Sequence, residues 1–144
     1  MVLPEVVDIN MPAEGIFHNL VLVSIHKEYP GHARKVMHAL WGLGLLALTK
    51  TIVVFDDHVD IQNLSEAAWR ATANIDPETD IVFSEGPADD LDHAAHTHKF
   101  GSKLGIDATA KTLEDGHSQE WPPDITMDRN IKDIVDGKWE RYGL

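Results

Sequence analysis

The chain has 144 residues, 43% of them hydrophobic, and a formal net charge of −12. This length predicts one domain with a substantial core, and the negative charge argues against a nucleic-acid partner, because phosphate contacts need a surplus of lysine and arginine. The absence of cysteine excludes disulfides and thiolate metal sites and fits a reducing cytoplasm. The apolar runs are shorter than the roughly 20 residues of a membrane span, and no signal peptide is visible. We therefore expect a cytoplasmic protein without a membrane span.

The first predicted elements are a buried strand, an amphipathic helix and a second buried strand. Residues 19–25 are apolar on both alternating faces, which is typical of a strand covered on two sides. A turn at Gly31 precedes apolar residues at helical spacing over 33–48. Residues 51–55 are again continuously apolar and predict the next strand.

The second half of the chain is predicted to be less regular. Ser65 can N-cap a helix that runs to about Ala73, and residues 81–83 predict a short third strand. Residues 84–101 are rich in Asp, His, Gly and Ala with little periodicity, which indicates a functional or disordered loop. Asp128 can cap a last helix. The apolar stripe of that helix consists of Ile131, Ile134, Val135, Trp139 and Tyr142.

Strands that alternate with helices predict an α/β fold, a three-layer sandwich with a largely parallel sheet and a projecting C-terminal helix. We assign residues 1–120 to the α/β domain and residues 121–144 to a linker and a C-terminal exchange helix. The linker, Trp121-Pro-Pro-Asp124, cannot continue a helix and is expected to hold the last helix away from the domain. A last helix folded back on its own sheet is the alternative.

Two cations stand in the first turn of the helix that follows Gly31. Arg34 and Lys35 lie where the partial positive charge of a helix N-terminus disfavours cations. A bound anion, most naturally a phosphate, would make this placement favourable. The alternative is that both side chains extend into water, and the local pattern does not decide between the two.

Two clusters of Asp and His carry groups that bind divalent metals. The first consists of Asp56, Asp57, His58 and Asp60, and the second of Asp92, His93, His96 and His98. The first cluster follows a predicted parallel strand, at the end of the sheet where ligands bind in α/β proteins. Capping and turn hydrogen bonds explain the first cluster equally simply, and solvent exposure explains the second, so we predict no metal site.

Residues 101–111, Gly-Ser-Lys-Leu-Gly-Ile-Asp-Ala-Thr-Ala-Lys, combine glycines, a hydroxyl and two lysines. They lack the spacing of a phosphate-binding loop. The chain also has no Gly-x-Ser-x-Gly elbow and no cysteine nucleophile. The residues alone therefore assign no catalytic group.

Four segments, in their order and spacing, resemble the C-terminal part of the UbiD family of aromatic-acid carboxy-lyases, most closely its 3-octaprenyl-4-hydroxybenzoate branch. They are residues 29–37 (Tyr-Pro-Gly-His-Ala-Arg-Lys-Val-Met), 56–60 (Asp-Asp-His-Val-Asp), 91–94 (Leu-Asp-His-Ala) and 102–109 (Ser-Lys-Leu-Gly-Ile-Asp-Ala-Thr). The resemblance extends over nearly the whole chain. One departure is His58, where the family usually has a third Asp.

The resemblance implies non-oxidative decarboxylation of an aromatic acid such as 3-polyprenyl-4-hydroxybenzoate, as in ubiquinone biosynthesis. The implied cofactor is prenylated FMN, with a divalent metal and a potassium ion at its phosphate. The flavin acts as electron sink, and the protein positions it. The catalytic carboxylates of the family lie in a Glu-Gly-Pro-Phe-Gly-Glu-like block that has no counterpart here. We therefore expect no catalytic residue and no bound cofactor in this chain alone, which resembles half of an enzyme.

The resemblance also implies roles for single residues and partners. Lys35 matches a lysine that approaches the cofactor phosphate, and the neighbouring Arg34 is its rival for that role. Leu91 lies in the stretch that borders the substrate pocket and is the substrate-facing candidate. The implied partners are an N-terminal flavin-binding domain and, through the last helix, further copies of the chain. Two alternatives are a free-standing metal-dependent hydrolase that uses the Asp and His clusters and a non-enzymatic oligomerisation domain.

Overall fold

A computed structural model describes residues 3–143 of the chain. The strands are β1 (Val6–Asn10), β2 (Leu20–Ile25), β3 (Thr51–Asp56), β4 (Ile81–Pro87) and β5 (Phe100–Asp107). The α-helices are α1 (Ile16–Asn19), α2 (His32–Trp41), α3 (Leu64–Ala73) and α4 (Arg129–Asp136). Short 3-10 helices cover Ala13–Gly15, Gly44–Leu48, Leu113–Asp115 and Trp139–Tyr142.

The five strands form one open sheet in the order β1-β2-β3-β5-β4. Strands β2, β3 and β5 run parallel at its centre, and β1 and β4 pair antiparallel at its two sides. The predicted α/β class is therefore confirmed, and the sheet is mostly but not wholly parallel. The end of the sheet where the parallel strands finish is called the carboxyl end below, and the opposite end, which holds the β4–β5 loop, is called the amino end.

Strands β2 and β3 bury both of their faces, as their apolar runs predict. One buried cluster joins Val21, Val23, Ile25, Ile52 and Val54 to Ala33, Val36, Met37 and Leu40 of α2. A second cluster joins Leu22, Val53 and Phe55 to Ala67 of α3. On β5, a Cβ at Gly105 would lie 2.5 Å from the Met37 Sδ atom, so only glycine lets α2 pack this closely.

Two predicted helix boundaries are wrong. Helix α2 ends at Trp41 rather than near residue 48, because Gly42 and Gly44 follow it. Gly44 has φ of +51°, which an α-helix cannot accommodate, and residues 44–48 form a 3-10 helix instead. The N-cap of α3 is Asn63 and not Ser65, because the Asn63 side chain accepts the backbone N–H of Ser65.

Two strands are absent from the sequence prediction. Strand β1 is not among the predicted elements, and β5 occupies most of the segment 101–111, to which the sequence assigned no secondary structure. Strand β4 also runs on to Pro87, beyond its predicted end. Glycines at positions 101 and 105 hide the alternation of β5, because they stand where side chains from other elements pack against the strand.

The last predicted helix forms, with Asp128 as its N-cap, but it is shorter than predicted. The Asp128 carboxylate accepts N–H groups at the start of α4, and the helix ends at Asp136, followed by Gly137. No residue of α4 is buried. Ile131 and Ile134 are each about half exposed. The three-layer arrangement, the boundary at residue 120 and the projection of the helix stay predictions.

None of the helices within residues 3–143 has the length and apolar character that a membrane crossing requires.

Candidate functional site

A groove runs along the carboxyl end of the sheet, where the sequence predicted that ligands bind. It consists of two adjacent clefts of about 660 and 550 Å³. Both are lined by Pro30, Lys111, Asp115 and Trp121. Clefts of this size accommodate small-molecule ligands. The groove therefore lies beside the start of α2, at the position of the predicted anion site.

The two predicted cofactor-binding cations lie at the start of α2, and each contacts the body of the domain. Gly31, the N-cap, has φ of +79°, a conformation that favours glycine. The Arg34 guanidinium lines the larger cleft and donates to the Thr79 carbonyl oxygen at 2.6 Å. The Lys35 ammonium forms an ion pair with Glu5, yet its side chain is 46% exposed. Both side chains are exposed, so each cation also presents an open face to solvent.

Glu5 is a residue of this site that the sequence did not reveal. It directly precedes β1, and the β1–β2 ladder brings it beside the start of α2. Its side chain is only 5% exposed and lies 3.3 Å from His32 Nε2, besides its contact with Lys35. Burial acts to raise the pKa of Glu5, but hydrogen bonds from Lys35 and its own backbone outweigh burial and lower that pKa. Because β1 was not predicted, nothing in the sequence paired Glu5 with the helix.

The first Asp and His cluster is dispersed over separate contacts. Asp56 Oδ2 accepts the Ala110 N–H at 2.7 Å, and burial raises the pKa of Asp56. Asp57 Oδ2 lies 2.7 Å from His26 Nδ1, and Asp60 accepts the N–H of Gln62 two residues later. Only the Asp60 contact is a turn contact of the simpler interpretation, because the partners of Asp56 and Asp57 lie 54 and 31 positions away in the chain.

The second cluster is likewise not assembled into a ligand set. His98 Nε2 lies 3.7 Å from Asp90, and both side chains are exposed. Within residues 3–143, no three His, Asp or Glu side chains come together in a way that could hold a metal ion. The metal-dependent hydrolase therefore has no assembled centre in the described part of the chain.

The two lysines of the 101–111 segment, Lys103 and Lys111, both donate hydrogen bonds to backbone carbonyl oxygens. Lys103 Nζ donates to the carbonyl oxygens of Ala47, Thr49 and Pro87 at 2.7–3.0 Å. Burial lowers the pKa of Lys103, but three carbonyl acceptors require the three donors that only the ammonium form supplies. Lys111 Nζ donates to the carbonyl oxygens of Asn74, Asp107 and Thr109 at 2.8–3.2 Å. Both lysines hold the backbone together and leave few donors for a phosphate.

Leu91, the predicted substrate-facing residue, lies in the β4–β5 loop at the amino end of the sheet. It is 65% exposed. Lys35 stands near the opposite end, and the intervening strand β3 has six residues, which span roughly 17 Å. The structure therefore does not bring Leu91 and Lys35 together, and only an elongated ligand could reach both.

A family model described as the C-terminal domain of 3-octaprenyl-4-hydroxybenzoate carboxy-lyase matches residues 1–108. The chain belongs to this UbiD family. The resemblance inferred from the four sequence segments is confirmed. Two uncharacterized relatives match almost the whole chain: one from Aquifex aeolicus is 51% identical over 142 residues, and one from Archaeoglobus fulgidus is 49% identical over 140 residues. These matches cover 99% and 96% of this chain and 29% of each relative.

Solved structures of UbiD-class enzymes share the fold. The vanillic acid decarboxylase of Sedimentibacter hydroxybenzoicus in its closed form matches with a TM-score of 0.82 and 25% identity, over 96% of this chain and 29% of that one. HmfF from Pelotomaculum thermopropionicum, in complex with FMN, matches with a TM-score of 0.76 and 21% identity, over 94% and 29%. The chain therefore spans less than a third of the length of the UbiD proteins that it matches.

Proposed function

We propose that this chain serves as the C-terminal domain of a UbiD-type carboxy-lyase that decarboxylates an aromatic acid such as 3-polyprenyl-4-hydroxybenzoate in the cytoplasm, as a step of ubiquinone-type biosynthesis. In this role it helps to close the prenylated FMN site and to assemble subunits. The catalytic carboxylates come from an N-terminal flavin-binding domain. The chain alone is inactive.

The observation that carries the proposal is the combination of family and coverage. The family match spans 108 of the 144 residues, and the fold matches a decarboxylase over 96% of the chain. The Aquifex aeolicus relative and the decarboxylase are each more than three times longer than this chain, which covers 29% of their length. A domain of this kind therefore supplies part of a larger site.

The residues at the start of α2 fit the phosphate end of the cofactor. A glycine in a left-handed conformation opens the helix, and Lys35 presents an exposed ammonium beside the N-terminal N–H groups. Arg34, whose guanidinium is held at Thr79, would add positive charge at the start of the same helix. When bound, the flavin would serve as the electron sink for the departing carboxyl group. Among the described residues, no three His, Asp or Glu side chains come together for a divalent metal.

Leu91 is proposed to face the substrate at the far end of the cofactor. Its apolar side chain is exposed although the adjacent Asp92 is buried, so the loop presents it outward. A cofactor that reaches both Lys35 and Leu91 must be elongated, because β3 between them spans roughly 17 Å. The exposed apolar side chains of the segment after Asp124 are proposed to dock on another copy of the chain.

A chimera tests the proposal. The segment of the Aquifex aeolicus relative that matches this chain over 142 residues would be replaced by this chain, and the chimera loaded with prenylated FMN. We expect it to retain flavin and to release CO₂ from aromatic acids, because 51% identity over the domain preserves most interdomain contacts. The control is the relative without its last domain, which is expected to do neither.

The parent relative must itself retain flavin for the comparison to count. If the parent retains flavin and the chimera folds but does not, this chain is not an exchangeable domain of such an enzyme and the proposal is wrong.

A further inference from the structure

Two residues at the start of α2, His32 and Lys35, contact one buried carboxylate, and Tyr29 packs behind one of them. The Lys35 ammonium contacts Glu5 Oε1, and His32 Nε2 lies 3.3 Å from the same oxygen. The Tyr29 ring stacks on the His32 ring with a centroid distance of 4.1 Å. The clustered residues therefore connect the residue before β1 with the turn that opens α2.

A backbone hydrogen bond sets the orientation of His32. The Glu28 N–H donates to His32 Nδ1 at 3.2 Å, so Nδ1 acts as an acceptor. The ring proton then lies on Nε2, the nitrogen that is 3.3 Å from Glu5 Oε1. With Tyr29 stacked against it and only 2% of its surface exposed, His32 is held rigidly beside the Glu5 carboxylate.

Lys35 cannot leave Glu5 without a large cost. The Glu5 side chain is 5% exposed, and without Lys35 its charge would keep only the His32 contact and the hydrogen bond from its own backbone. A buried carboxylate that loses its cationic partner is strongly unfavourable. An ammonium carries three N–H donors, so Lys35 can hold Glu5 on its buried side and an anion on its exposed side at once.

We infer that Glu5 is a positioning residue that orders the Lys35 ammonium at the start of α2, so that an incoming phosphate meets a preformed donor. This inference rests on the proposed function, in which Lys35 contacts the cofactor phosphate. Binding usually costs the conformational entropy of each long side chain that it immobilises. When Lys35 is ordered in advance, the phosphate avoids this cost, which corresponds to a change in affinity on the order of two- to twelve-fold.

Inorganic phosphate is titrated into the 144-residue chain, and its binding is measured by NMR from the amide resonances of residues 31–36. In Glu5→Asp the charge stays but the reach is one methylene shorter, and phosphate binding is expected to weaken about two- to twelve-fold. In Glu5→Gln an acceptor of equal reach stays, and binding is expected to be no weaker than in Glu5→Asp. The matched control is Lys99→Ala, since Lys99 is an exposed lysine that also pairs with a carboxylate, Asp90.

A second measurement is independent of phosphate. The side-chain ¹⁵N resonance of Lys35 is visible only while hydrogen bonds protect its protons from exchange. We expect to observe it in the wild type and in Glu5→Gln, and we expect it to broaden in Glu5→Asp. Unchanged phosphate affinity in Glu5→Asp, or a larger loss in Glu5→Gln than in Glu5→Asp, overturns the inference. Unchanged affinity in Lys35→Ala instead contradicts the phosphate role of Lys35, and so the proposed function of this site, whatever Glu5 does.

Discussion

Arg70 donates two hydrogen bonds to the carboxylate of Asp124, at 2.6 and 2.7 Å, and joins α3 to a residue 54 positions later. His58 Nε2 lies 3.4 Å from the same carboxylate. The proline-containing linker is thus attached to the domain at its last residue. Ile125, the next residue, is 99% exposed.

Asp124→Ala is expected to destabilise the domain by about 1–3 kcal/mol, because Arg70, with 9% of its side chain exposed, loses a bidentate partner. The free energy of unfolding in urea measures the change. Asp136→Ala on the exposed helix α4 is the control, with an expected change within about 0.5 kcal/mol. Equal losses in the two variants would show that the Arg70–Asp124 contact contributes nothing to stability.

Truncation after Asp124 is expected to convert a dimer into a monomer while most secondary structure is kept. The reason is that the apolar side chains of Ile131, Ile134 and Trp139 are about half exposed in the single chain and gain cover only from a neighbour. Sedimentation velocity over a concentration series measures the change. A full-length chain that stays monomeric at high concentration contradicts this prediction.

Asp92→Asn is expected to loosen the β4–β5 loop and to cost about 1–2 kcal/mol of stability. The Asp92 side chain is 8% exposed and is held by Lys50 Nζ at 2.6 Å. Hydrogen exchange of residues 88–99 is expected to accelerate. Asp90→Asn is the control, because Asp90 lies in the same loop and pairs with Lys99 only at the surface.

The stabilising contact between Lys50 and Asp92 also predicts that the free energy of unfolding depends on pH. The hydrogen bond from Lys50 lowers the pKa of Asp92 in the folded chain. A carboxyl group with a lowered pKa stabilises the fold above its unfolded value of about 3.9, and the effect disappears as pH falls through the folded value. The difference in unfolding free energy between wild type and Asp92→Asn is therefore expected to be constant near pH 7 and to shrink below about pH 4. A difference that is the same at pH 3 and pH 7 excludes this explanation.

Lys35→Ala in the flavin-loaded chimera is expected to weaken flavin binding roughly 10- to 100-fold in Kd, because one charge-assisted contact to the phosphate is lost. Flavin occupancy after dialysis measures it. Arg34→Ala, tested beside it, ranks the two cations. The expected loss is smaller there, since Arg34 donates to the Thr79 carbonyl oxygen. Full occupancy in Lys35→Ala would remove the phosphate assignment.

The chain by itself is expected neither to decarboxylate aromatic acids nor to retain prenylated FMN. The physical reason is that the carboxylates that carry acid–base chemistry in the resembled family have no counterpart in this sequence. Incubation with the cofactor and a 4-hydroxybenzoate-type acid, with CO₂ detection against a boiled control, checks this. CO₂ release above the control would require a catalytic site within the chain.

The sequence by itself determined the elements whose pattern is local. The apolar runs of β2 and β3, the helical spacing that starts at Ala33 and the Asp128 cap are all found as predicted, because periodicity and capping depend on neighbours along the chain. The family also followed from the sequence, since four separated segments keep their order and spacing.

Only the tertiary structure decided which side chains meet. Glu5 reaches Lys35 through the pairing of β1 with β2, and Arg70 reaches Asp124 across 54 residues. The sequence assigned no role to Lys103, and in the fold it donates to three carbonyl oxygens that strand ends and a 3-10 helix bring together. These contacts depend on strand register and on close approach at glycines such as Gly105. Neither can be read from the periodicity of a single segment, because both involve residues that are far apart in the chain.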